Sequence, residues 1–235
     1  MRDERDEAAS AGRFAGGGGV GMVPDAVEET KRPSSACATP GGFGRGLVQV
    51  YTGEGKGKTT AALGLALRAA GHRFRVVVIQ FAKGASYTGE LFALERLYPE
   101  VRLFQFGRDC RRASAIRQGL AACEGCSECF LREGELTDED RELAREGLAM
   151  AHDVASRGLA DILVLDEVSI AIRFGLISVE EILKLIDGRN PRVELVLTGR
   201  GMPEEVLDRA DLVTEMRQVK HPFEKGIGAR RGIEF

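Results

Sequence analysis

From residue 46 onward, short apolar runs alternate with longer stretches in which apolar side chains recur every three or four positions. The runs are Leu47 to Tyr51, Arg75 to Phe81, Val101 to Phe106, Ile162 to Asp166, Val193 to Thr198 and Leu212 to Met216. They are β-branched in part and too continuous for strands with one wet face, so they predict the buried strands of a parallel sheet. The helical period falls at Lys58 to Ala70, Gly89 to Leu97, Thr137 to Ser156, Val179 to Ile186 and Pro203 to Ala210. Gly71 closes the first of these helices. Thr137 opens the third as its N-cap, with Asp138 to Asp140 in the first turn, where carboxylates meet the positive end of the helix dipole. This alternation predicts an α/β fold with a doubly wound, mainly parallel sheet, whose ligands sit at the carboxyl ends of the strands.

Residues 1–44 break the pattern. They carry Gly16 to Gly19, Pro33-Ser34-Ser35, Gly41-Gly42 and scattered charges, without sustained apolar periodicity. Such a segment buries too little surface to offset its ordering entropy, so it is expected to be a disordered leader. A short helix around Asp25 to Lys31 is the one element its pattern allows, and Cys37 has no evident role there. Residues 45–235 are then expected to form a single domain, a size that supports one sizeable core.

Charge narrows the function classes. The formal net charge is -3 with signs interspersed, leaving no basic stripe for nucleic acid. No apolar stretch approaches the length of a membrane span, and the chain starts MRDERDE rather than with a charged-then-apolar signal. A cytoplasmic protein without a membrane partner is expected. Five cysteines in such a compartment point to reduced thiols or metal ligands before disulfides.

The chemistry concentrates where the first strand meets the first helix. Thr52-Gly53-Glu54-Gly55-Lys56-Gly57-Lys58-Thr59 is a glycine-rich turn between them, and its backbone amides together with the helix N-terminus would cradle phosphate oxygens. This is a phosphate loop in the setting of a P-loop NTPase sheet. Lys58 would place a positive charge at the terminal phosphates, and the Thr59 hydroxyl is placed to ligate a nucleotide-borne magnesium ion. The pattern G-x-x-x-x-G-K-[ST] fails at its first position, where Thr52 stands for glycine. The second motif is Ile162-Leu163-Val164-Leu165-Asp166-Glu167, a buried strand that delivers two carboxylates to the same sheet edge. In phosphate-loop enzymes such acids hold magnesium directly or through water, or orient a nucleophile.

Read in order, GEGKGKTTAALGLALRAAGH, VVVIQFAKG, Gly89-Glu90, ILVLDEVSIAIRFGLI, VELVLTGRGMP and ADLVTEMRQVKHPFEKGIGARRGIEF resemble the phosphate-loop family of corrinoid adenosyltransferases from about Gly46 to Phe235. The resemblance implies transfer of the 5′-deoxyadenosyl group of ATP to the cobalt of a reduced corrinoid, with triphosphate released. It implies catalytic roles for Lys58 and Glu167. Nucleotide contacts are implied at Gly53, Glu54, Gly55, Lys56, Gly57, Lys58, Thr59 and Thr60, and magnesium at Thr59, Asp166 and Glu167. Gln80 and Lys83 end the second strand, Arg200 follows the fifth, and Lys220-His221 matches a C-terminal motif, so these five also join the expected site. Family members are often dimers, and cobalt(I) requires a reductase. The chain has no Ser, Cys and His arrangement for a protein nucleophile, and only His72, His152 and His221 could act as imidazole bases. A cobalt(I) nucleophile has no proton to lose, which fits that lack. Two other readings stay open: an ATPase releasing ADP and phosphate, and a non-catalytic nucleotide or corrinoid carrier.

One segment departs from the resemblance. Better-known members carry Gly-Phe-Thr-Trp after the third strand, with aromatics against the corrinoid. Here the place reads Gly107-Arg108-Asp109-Cys110, and the chain has no tryptophan. Phe104, Phe106 or Phe130 are the aromatics available to take over. The insertion at about 107–136 instead holds Cys110, Cys123, Cys126 and Cys129, enough thiols for a zinc ion or an iron-sulfur cluster but with no defined signature spacing.

Overall fold

The computed structural model describes residues 44–84, 88–122, 126, 128–129, 131–132, 134–228 and 230–233. The expected leader lies outside the described residues apart from Gly44, and with it the Asp25 to Lys31 helix and Cys37. Among the described residues the strands are β1 (Val48–Thr52), β2 (Val76–Phe81), β3 (Val101–Phe106), β4 (Ile162–Asp166), β5 (Glu194–Thr198) and β6 (Leu212–Glu215). They form one sheet in the order β3-β2-β4-β5-β1-β6, with every neighbouring pair parallel.

All six strands fall where the apolar runs predicted them. β2, β4 and β5 are buried at every position, as strands covered on both faces must be. Alternate side chains serve opposite layers. Val76, Val78, Ile162, Val164 and Val196 pack on Ala62, Ala66 and Ala69 of α1 (Lys58–Gly71). Val77, Ile79, Phe81, Leu163, Leu165, Leu195 and Leu197 face the other way, with Leu148 and Ala151 of α4 (Asp138–Arg157) and Ile182 of α6 (Val179–Gly188). Burying one such side chain contributes roughly 1.5–3 kcal/mol, so these two layers dominate the stability. The edge strand β6 is exposed along its length.

The remaining helices are α2 (Gly89–Glu95), α3 (Ala113–Arg117), α5 (Val168–Arg173) and α7 (Glu204–Leu207), with a 3-10 turn at Pro222–Lys225. Thr137 caps α4 as expected: its hydroxyl accepts from the Asp140 amide at 3.3 Å, and Asp140 Oδ2 accepts from the Thr137 amide at 2.7 Å. Ser178 and Glu181 repeat this capping box on α6. Helix α5 was not foreseen, because the apolar run of β4 continues past the acids as Val168-Ser169-Ile170-Ala171-Ile172 with no turn residue between them. The corner is made by Glu167 itself, at φ 58. No described helix is long and apolar enough to cross a membrane.

Candidate active site at the carboxyl edge of the sheet

One side chain of the loop, Thr59, and three from beyond it, Gln80, Lys83 and Thr198, meet on a single buried carboxylate, Asp166. Lys58 is buried and its Nζ donates to the carbonyls of Gly53 (2.6 Å) and Gly55 (2.9 Å). Burial pulls this ammonium below its ordinary range, against the pull of Glu167. Gly53 and Gly57 have φ of 91° and 116°, and Gly55 lies so close to Met216 that a Cβ on either Gly53 or Gly55 would collide with the Met216 carbonyl. The Gly55 amide donates to that carbonyl at 2.6 Å. The segment following β6 therefore fixes the front half of the loop. Thr52, the departure from the consensus, accepts a 3.4 Å bond from the Met202 amide, which ties β1 to the turn after β5.

Asp166 ends β4 fully buried, and both its oxygens are doubly used. Oδ1 accepts from Thr59 Oγ1 (2.8 Å) and Thr198 Oγ1 (2.7 Å), while Oδ2 accepts from Gln80 Nε2 (2.9 Å) and Lys83 Nζ (3.0 Å). A carboxylate offers about four acceptor positions, so these four bonds fill it. Asp166 is thus placed to orient Thr59 and Lys83 rather than to hold a ligand directly. Lys83 also approaches Glu90 of α2 at 3.9 Å. Burial alone would lower the Lys83 ammonium, yet Asp166 and Glu90 hold it above its ordinary range.

Glu167 differs from its neighbour. Its amide donates to Thr198 Oγ1 at 3.0 Å, but its Oε2 is buried with no hydrogen-bond partner. Burial first, and the Asp166 charge second, push its carboxyl above the usual range, against Lys83 and Lys58. A non-glycine residue at positive φ carrying an orphaned buried oxygen is a strained, costly arrangement of the kind found at functional sites.

These groups line a cleft of about 520 Å³ bounded by Gly55 to Thr60, Leu63, Lys83, Gly89, Glu90, Glu167, Arg200, His221, Gly232 and Ile233. The expected residues Lys56, Gly57, Lys58, Thr59, Thr60, Lys83, Glu167, Arg200 and His221 thus converge. Gln80 does not reach the cleft and acts through Asp166. Glu54 is exposed and pairs with Arg200 at 3.6 Å, and Lys220 is exposed outside the lining residues. His221 Nδ1 accepts from the Phe223 amide at 3.2 Å, capping the 3-10 turn. Leu63, Gly89, Glu90, Gly232, Ile233 and the supporting Thr198 and Gln105 were absent from the expected site. A strand-end polar residue could have flagged Thr198 and Gln105, whereas nothing in the local pattern marks Ile233.

The insertion is placed in part. Arg108 Nη2 and Nε bond Asp140 at 2.6 and 2.8 Å. Phe104 and Phe106 are partly buried and pack against the core, and Phe130 lies outside the described residues. Cys110 and Cys129 are half-buried and Cys126 exposed, while Cys123 lies outside the described residues. Among the described residues no three His, Cys, Asp or Glu side chains stand where they could hold one metal ion.

A family model for ATP:corrinoid adenosyltransferase BtuR/CobO/CobP matches residues 44–235. The chain belongs to this corrinoid adenosyltransferase family. Among curated relatives, the corrinoid adenosyltransferase of Pseudomonas aeruginosa is 36% identical over 195 residues, covering 81% of this chain and 84% of the relative. That of Escherichia coli K12 is 32% identical over 191 residues, with 81% and 86% covered. Corrinoid adenosyltransferase CobA of Salmonella typhimurium is 34% identical over 191 residues, with the same coverage.

Proposed function

We propose that this corrinoid adenosyltransferase joins the C5′ carbon of ATP to the cobalt of a cobalt(I) corrinoid, breaking the C5′–O bond so that triphosphate leaves with the electron pair. The observation that carries the reading is the convergence of Lys58, Thr59 and the unpartnered Glu167 carboxylate on one cleft, in a chain of this family. No proton is transferred, so no side chain needs to act as a base. The protein's task is positioning and charge neutralisation.

In this reading the triphosphate lies along Lys56 to Thr60, with Lys58 beside the leaving group and Arg200, which pairs with Glu54 of the loop, able to meet it through its planar fork. Thr59 donates its proton to Asp166, which turns its lone pairs toward the cleft, and Glu167 offers its unpaired oxygen across from it. An all-oxygen pair of this kind fits magnesium, which when bound would neutralise phosphate charge. The nucleophile arises outside this chain, from a reductase that supplies cobalt(I).

An anaerobic assay with ATP and chemically reduced cobalamin, cobinamide and cobyrinic acid diamide tests the reading. Triphosphate should form in step with the absorption change of a new cobalt–carbon bond. ADP and phosphate released without corrinoid would point instead to hydrolysis, and nucleotide binding with an unchanged corrinoid spectrum to a carrier.

A further inference from the structure

Gln105, Gln80 and Asp166 occupy one rung across three adjacent strands. Gln105 of β3 is in register with Gln80 of β2, which is in register with Asp166 of β4. Their side chains are joined on the α1 face: Gln105 Nε2 donates to Gln80 Oε1 at 2.8 Å, and Gln80 Nε2 donates to Asp166 Oδ2 at 2.9 Å. Gln80 is fully buried. An amide has a carbonyl end and an amino end, and only one orientation of Gln80 serves Asp166. The acceptor-only carboxylate of Asp166 demands that orientation and the Gln105 donor supports it, because a flipped Gln80 would set its carbonyl against the carboxylate and its NH₂ against the Gln105 donor. Asp166 in turn takes the Thr59 hydroxyl proton at 2.8 Å.

We propose that Gln105 is a positioning residue that acts through Gln80 and Asp166 to aim the Thr59 hydroxyl oxygen into the cleft, and so sets how strongly magnesium tightens nucleotide binding. The relay resembles the outer partners that orient metal ligands through a chain of hydrogen bonds. It rests on the reading of Thr59 as a magnesium-facing group. Gln105 sits on the edge strand β3, outside the cleft lining, so its substitution touches neither nucleotide nor loop.

The test is equilibrium binding of a fluorescent ATP analogue to the full chain, with and without magnesium. Gln105→Glu has no amide proton to offer, so two carboxylates contest the Gln80 NH₂ and the Gln80 hold on Asp166 weakens. Magnesium-dependent tightening should fall at least tenfold, with magnesium-free binding changed less than threefold. Gln105→Leu removes the donor at similar volume and should lose about threefold, and it carries the test by itself if the glutamate variant does not fold. Wild-type tightening in Gln105→Leu, or equal weakening with and without magnesium, would overturn the proposal. A wild-type chain that binds nucleotide without any magnesium effect would instead sink the role given to Thr59, and this inference with it.

Discussion

At the residue scale, Lys58 and Glu167 carry opposite relations between stability and function. Lys58→Ala removes the charge beside the leaving group, and loss of one such group costs about 10²–10³ in kcat; anaerobic turnover should drop by at least that lower figure with the fold retained. Near-normal turnover would refute the loop's role. Glu167 has a raised carboxyl, so the folded chain holds its proton more tightly than the unfolded chain. Its contribution to stability is therefore full below the ordinary glutamate range and lost as pH rises through the raised value. At neutral pH the buried charge is a liability. Glu167→Gln should raise the melting temperature of the nucleotide-free protein at pH 7.5 relative to wild type, shrink that gain near pH 4, and depress turnover. Lower melting temperatures at both pH values would show that the carboxylate is structurally satisfied. The site's position was legible at this scale because Lys58, Thr59, Asp166 and Glu167 are adjacent in two short motifs. The division of labour between Asp166 and Glu167 was not, since it depends on Gln80, Lys83 and Thr198 arriving from other strands.

At the element scale, Arg108 and Asp140 explain how the β3–α4 connection is held where the family's aromatic segment is lacking. Arg108 follows β3 directly, and its guanidinium reaches the first turn of α4, where it bonds Asp140 and the Glu135 carbonyl. That bonding, with the Thr137 amide and hydroxyl, pulls the Asp140 carboxyl down to about 2 despite its burial. Gly84 and Gly107 make this path feasible: side chains there would collide with the backbone of Arg108 and of Lys83 respectively. Arg108→Ala leaves a buried carboxylate with only its capping bonds. The loss should be about 2 kcal/mol, below the usual figure for fully buried pairs because Arg108 is partly exposed. Since the folded value lies below the ordinary one, this contribution is present above about pH 4 and fades as pH falls toward 2, so wild type and variant should converge in acid unfolding. A constant gap across that window would mean the arginine acts by packing. The capping box at Thr137 was readable from its polar spacing. The Arg108 contact was not, because nothing local to Gly107-Arg108-Asp109-Cys110 points to a partner in the helix that follows.

At the scale of the whole molecule, the sheet was legible strand by strand, because strands buried on both faces write continuous apolar runs. Their spatial order was not legible, nor was the way residues after β6 return to the cleft. That return has consequences. Met216 fixes the loop, Lys56 Nζ donates to the Ile233 carbonyl at 3.2 Å, and His221, Gly232 and Ile233 form one wall. Yet none of the described residues from 217 onward is buried, so this segment contributes little to either core layer. A chain ending at Gln218 should therefore keep its melting temperature within a few degrees, while its affinity for ATP falls at least tenfold as the wall and the Lys56 contact disappear. Saturating ATP, at about 100 times its dissociation constant, should stabilise the full chain by about 2.7 kcal/mol, a rise of roughly 5–10 °C, and the shortened chain much less at the same concentration. Equal thermal shifts in both would mean that the cleft is complete without its C-terminal wall. Collapse of the shortened chain's own melting transition would mean instead that an exposed segment carries stability its burial does not predict.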